Sequence, residues 1–71
     1  MTQFIAGMRE GNHIFMESFE FPEETTIGEA WEIISELVTK FNRKAAARNQ
    51  PLRTFVALKD SDGNEYTGEG Q

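Results

Sequence analysis

His13 is the only histidine in a chain of 71 residues, and there is no cysteine. A catalytic base must sit within reach of the proton it moves, usually beside a group that orients it. His13 stands next to a turn signal, Gly11-Asn12, with no serine or cysteine partner in a recognisable motif. The segment Asp60-Ser61-Asp62-Gly63-Asn64-Glu65 is dense in oxygen ligands, as a calcium loop is. An EF-hand, however, needs glycine at the sixth position and a bidentate glutamate at the twelfth, where this chain has Glu65 and Gln71. A hairpin turn is the expected reading. The adjacent carboxylates Glu23 and Glu24 precede a helix start, where the macrodipole favours negative charge without any catalytic role. Gly68 and Gly70 have no helix after them and so make no phosphate loop. The expectation is a protein that is not an enzyme, uses no metal or cofactor, and acts by binding another macromolecule.

Size and composition limit what can position such a binding surface. A chain this short holds one domain, residues 1–71, and buries only a modest fraction of its surface. Without cysteine the core must come from packing, to which six phenylalanines and Trp31 contribute. The N-terminal residues lack the basic and apolar regions of a signal peptide, and no apolar run is long enough to span a bilayer. The expected location is the cytoplasm, with no membrane partner. A formal net charge of -5 opposes direct contact with nucleic acid, whose phosphates attract basic surfaces, and suits a basic partner.

The pattern predicts a ββαββ chain of the α+β class: an antiparallel sheet of about four strands on one long helix. Residues 3–8 and His13–Phe21 read as a hairpin closed near Gly11-Asn12 and ended by Pro22. Thr26 and Glu29 match a capping box. Apolar residues follow at Ile27, Ala30, Trp31, Ile34, Leu37, Val38, Phe41 and Ala45, one face of a helix. The helix is expected to end near Arg48 or Asn49, ahead of Pro51. Residues 54–59 read as a third strand, 60–64 as a turn and 65–67 as a short fourth strand, with a loose tail from about residue 67 onward.

Two features point outward. From Glu10 to Glu36 there are eight acidic residues and no Lys or Arg; from Lys40 to Arg53 there are five basic residues and no acid. The helix macrodipole accounts for part of this but not for Glu10, Glu17 and Glu20, which lie outside the helix. Secondly, strand alternation leaves apolar residues on both sheet faces. One set is Phe4, Ala6, Met8, Phe15, Phe19, Phe21, Phe55 and Ala57; the other is Ile5, Ile14, Met16, Val56 and Leu58. One helix covers one face, so the second set is expected to form an exposed interaction surface. A bulge near Glu17 that changes parity is the structural alternative.

The run Glu17-Ser18-Phe19-Glu20-Phe21-Pro22-Glu23-Glu24 resembles the Glu-Ser strand of phage uracil-DNA glycosylase inhibitors. Val56 to Asn64 is similar to that family's C-terminal hairpin. Ser18 and Pro22 are one residue closer here than in the family pattern, and a hairpin stands where the family has an N-terminal helix. The resemblance implies that Glu17 and Ser18 enter the DNA-binding cleft of an enzyme as stand-ins for DNA backbone groups. On the same basis Glu20, Glu23 and Glu24 extend the mimicry, and Trp31, Ile34 and Val38 help to form an apolar pocket. In outline the chain also resembles other small phage proteins, such as anti-CRISPRs, that pair a sheet with one helix.

The expected partner is therefore a host nucleic-acid-processing protein. Its contact residues would be Glu17, Ser18, Phe19, Glu20, Glu23 and Glu24, with Ile14, Met16, Val56 and Leu58 from the sheet face. A homodimeric accessory module that pairs through the same apolar set is the alternative.

Overall fold

A computed structural model describes residues 1–67. Strands β1 (Thr2–Glu10) and β2 (His13–Phe21) are followed by helix α1 (Ile27–Ala47), then β3 (Arg53–Lys59) and β4 (Glu65–Tyr66). The strands form one antiparallel sheet in the order β2-β1-β3-β4. The α+β class and the ββαββ order are those expected from the sequence. The tail expected from residue 67 lies, except for Thr67, outside the described residues.

Local chemistry explains each element. β1 and β2 are joined by the two residues Gly11-Asn12, with Gly11 at φ +61° and Asn12 not in the positive region. A positive φ at only the first central position is the type II′ pattern, which glycine adopts without strain. α1 begins with a complete capping box. The Thr26 hydroxyl accepts from the Glu29 N–H at 3.1 Å, and the Thr26 N–H donates to Glu29 Oε1 at 2.9 Å. It ends in a Schellman motif. The Gln50 N–H donates to the Ala45 carbonyl at 2.8 Å and the Asn49 N–H to the Ala46 carbonyl at 3.2 Å. Asn49 takes the left-handed conformation, φ 56°, that this motif requires. At about 1.5 Å per residue, 21 helical residues match the length of the nine-residue strands at about 3.3 Å each.

The core lies between α1 and one face of the sheet. Phe4, Ala6 and Met8 of β1 pack with Ala30 and Ile34 of α1 and Leu58 of β3. Phe15, Phe19, Phe21, Ile27, Trp31, Val38 and Phe55 close around them. Trp31 stacks on Phe55 at 4.1 Å between ring centroids and meets Tyr66 edge-on at 5.4 Å. The nearest sheet neighbours of the helix are β3 and β4, so α1 sits off-centre, toward the side away from β2.

The strand parity read from the sequence needs one correction. Along β1 and β3 the pairing runs Glu10↔Arg53, Arg9↔Thr54 and Met8↔Phe55, then resumes at Gly7↔Ala57 and Ala6↔Leu58. Val56 is therefore an extra residue, a bulge that flips the rest of β3. Leu58, expected on the open face, is 0% exposed in the core, while Ala57 sits opposite Gly7 on the open face. The β1–β2 ladder is unbroken from Thr2↔Phe21 to Glu10↔His13, so no bulge lies at Glu17.

Candidate partner-binding surface

Three surfaces remain after the core is assembled, and the expected contact residues divide among them. The first is the open face of the sheet. Ile5 (40% exposed), Ile14 (68%), Met16 (69%) and Val56 (48%) all face solvent. Of the second apolar set, only Leu58 drops out. Ser18 and Glu20 share this face, since they pair with Ile5 and Gln3 of β1.

The second is the free edge of β2, which has a strand on one side only. Glu17 pairs with Ala6, whose side chain is buried under the helix, so Glu17 points to the helix side and Ser18 to the other. The two residues implied as a contact pair are thus on opposite faces, and only a partner straddling the edge can touch both. Glu17 borders a groove of about 230 Å³ with Phe19, Leu37, Val38, Phe41 and Arg53. The apolar pocket implied for Trp31, Ile34 and Val38 is not formed by those three. Ile34 is buried in the core, Trp31 is stacked on Phe55 with Tyr66 edge-on to it, and of the three Val38 alone lines the groove. A charge on the inner face of an edge strand also discourages two such edges from pairing. In the register centred on Glu17, two copies of β2 would set Glu17 against Glu17.

The third surface is electrostatic. Antiparallel pairing puts the β2 C-terminus, the helix N-terminus and the β3–β4 turn at one end of a molecule 37 Å long and 22 by 21 Å across. That end carries Glu20, Glu23, Glu24, Glu29, Glu32, Asp60, Asp62 and Glu65, with Lys59 and the N-terminal amine as its cations. The opposite end carries Arg9, Lys40, Arg43, Lys44, Arg48 and Arg53, with Glu10 as its one carboxylate among the described residues. Glu10 is already used, bonded to Arg53 at 3.2 Å. At the acidic end a wide open depression of about 860 Å³ runs along α1, lined by Glu29, Glu32 and Glu36 over Trp31 and Tyr66. The sequence reading missed this depression. Its signal was the i, i+3, i+7 spacing of the three glutamates, which places them on one helical face.

Two carboxylates at this end are held below their ordinary range. Glu29 is lowered first by the Thr26 backbone N–H and then by the Thr26 side chain. Asp60 is lowered chiefly by the Asn64 side-chain amide, at 3.0 Å. The Asp60 oxygens also accept the N–H groups of Asp62 at 3.0 Å and Asn64 at 2.9 Å. They are committed to closing a turn in which Gly63 takes φ +89°. Among the described residues no group of three or more His, Cys, Asp or Glu could hold a metal ion. No described helix is long and apolar enough to cross a membrane. His13 lies exposed and stacked on Phe15, at 5.8 Å between ring centroids.

Comparison with family models, with curated proteins and with solved structures finds no match to this chain.

Proposed function

We propose that this chain is a small acidic inhibitor, encoded by a phage, that occupies the nucleic-acid-binding site of a host protein. The observation that carries the reading is the concentration of carboxylates at one end of the molecule, beside a free edge strand. A nucleic-acid-binding cleft is lined with Lys and Arg spaced for phosphates. A rigid end carrying Glu20, Glu23, Glu24 and Glu32 meets it with complementary potential and speeds encounter at low salt. Apolar area along the groove that Glu17 borders, at Phe19, Leu37 and Phe41, supplies lasting affinity. Uracil-DNA glycosylase is the first target to test, on the resemblance of Glu17 to Glu24, and a CRISPR effector the second.

The experiment measures uracil excision, and separately target cleavage by a CRISPR effector, with added protein from substoichiometric to excess. Inhibition that saturates at one chain per enzyme and weakens as salt rises supports the reading. Glu23→Gln/Glu24→Gln/Glu32→Gln should then weaken inhibition by at least about tenfold, because each change removes one charge contact from the encounter. Full activity of both enzymes at equimolar and excess protein removes these targets. Undiminished inhibition by the triple variant removes charge mimicry as its basis.

A further inference from the structure

Gly7 lies in the middle of β1, a central strand, on the open face. Glycine there weakens a strand and needs a reason. Backbone conformation does not give one, since Gly11 and Gly63 are the described glycines at positive φ. Packing within the chain does not give one either. A Cβ at Gly7 would meet Met16 Sδ at 3.7 Å and the Ala57 carbonyl at 3.8 Å, ordinary contact distances. Glycine is also common beside a bulge, and the one at Val56 lies opposite Gly7 and Met8; the missing side chain leaves a gap on the open face. With Ala57 beside it, Gly7 floors a depression of about 260 Å³ walled by Ile5 and Met16, with Lys59 and Glu65 at its rim.

We infer that this face pairs with the same face of a second copy, strands antiparallel, so that Ile5 of each protomer enters the Gly7 gap of the other. The charges select this arrangement. Arg9 and Glu20 lie at opposite ends of the open face, because Arg9 pairs with Ile14 and Glu20 with Gln3. Neither has an ion-pair partner among the described residues. A two-fold axis across the strands, midway between Ile5 and Gly7, brings Arg9 of one copy to the Gln3–Glu20 end of the other, twice by symmetry. An axis along the strands would bring the like-charged ends together. Strands about 4.8 Å apart and nine residues long give a face of roughly 500 Å² per copy, so the pair buries roughly 1,000 Å². That is the lower limit for a specific interface, and it marks a dimer that dissociates on dilution. The dimer and the proposed inhibitory end share Glu20, whereas the helix-side depression at Glu29, Glu32 and Glu36 lies on the other side of the sheet and stays free in the dimer.

Sedimentation velocity of the full chain from about 5 to 500 µM tests it, over the range in which an interface of this size exchanges. The mass should rise from that of one chain, 8.1 kDa, to that of two. Gly7→Val should stay monomeric throughout, with its urea midpoint unchanged or higher. Met16→Gln, at an exposed position that leaves the core untouched, should weaken the dimer at least about tenfold through loss of buried apolar area. Arg9→Glu should weaken it at low salt, and Arg9→Glu/Glu20→Arg should restore it. Single-chain mass at the highest concentration overturns the inference, as does a dimer that forms equally well with Gly7→Val. Failure of the double variant to recover overturns the antiparallel arrangement.

Discussion

Arg53 is fastened from several directions at the seam between α1 and the sheet. Its guanidinium lies 4.0 Å from the Phe41 ring centroid and 5.1 Å from that of Phe15, and it bonds Glu10 at 3.2 Å. Asn42 holds the backbone of the same residue, donating to the Arg53 carbonyl at 2.9 Å and accepting its N–H at 2.8 Å. Asn42→Ala strands both backbone groups in a half-buried site and should cost about 1–3 kcal/mol in urea unfolding. Glu10→Gln should cost about 0–1 kcal/mol, because that ion pair is only half-buried and solvent screens it. Glu29 and Asp60 make the acid limb of stability predictable. Each has a lowered folded-state value, so its contribution is complete above the ordinary values of 4.5 and 3.8 and is lost as pH falls through the lowered ones. Urea midpoints measured from pH 6 down to about 3 should fall. In Glu29→Gln, which cannot titrate, the fall should be shallower.

At the scale of the element, what the sequence revealed depended on whether a side chain carried phase information. Thr26 and Glu29 announced the helix start through a two-way hydrogen bond with fixed spacing, and both bonds are present. The alternating apolar sets gave the facing of β1 and β2, which the unbroken ladder keeps. Phe55-Val56-Ala57-Leu58 has no polar residue to mark its phase, so an added residue at Val56 leaves no trace in the alternation. That is why Leu58 was expected outside. Leu58→Ala should cost about 2–5 kcal/mol, whereas Ile14→Ser at low micromolar protein should change stability by about 0.5 kcal/mol or less. Equal effects in chemical unfolding would refute the bulge. The helix end has a similarly specific dependence. Asn49→Ala should destabilise by about 1 kcal/mol, because alanine tolerates the left-handed conformation less well than asparagine.

For the whole molecule, the linear order of charges was legible but its geometry was not. The acidic and basic runs are visible in the chain, yet it takes the return of β3 after α1 to gather Asp60, Asp62 and Glu65 with Glu23 and Glu32. The glutamate-lined depression over Trp31 and Tyr66 joins residues 30 or more positions apart, and no local pattern reports that. The exposed set Ile5, Ile14, Met16 and Val56 was legible because alternation in β1 and β2 is intact.

The off-centre seat of α1 sets an order of unfastening. β1 and β3 lie inside the sheet and share the buried cluster around Phe4, Met8 and Leu58, while β2 has a neighbour on one side only and little helix above it. Amide hydrogen exchange should therefore run faster along His13–Phe21 than in the middle of β1 and β3. A molecule that frays along β2 before it melts offers an incoming chain a length of half-released backbone. Whatever grips that margin gains by mending it.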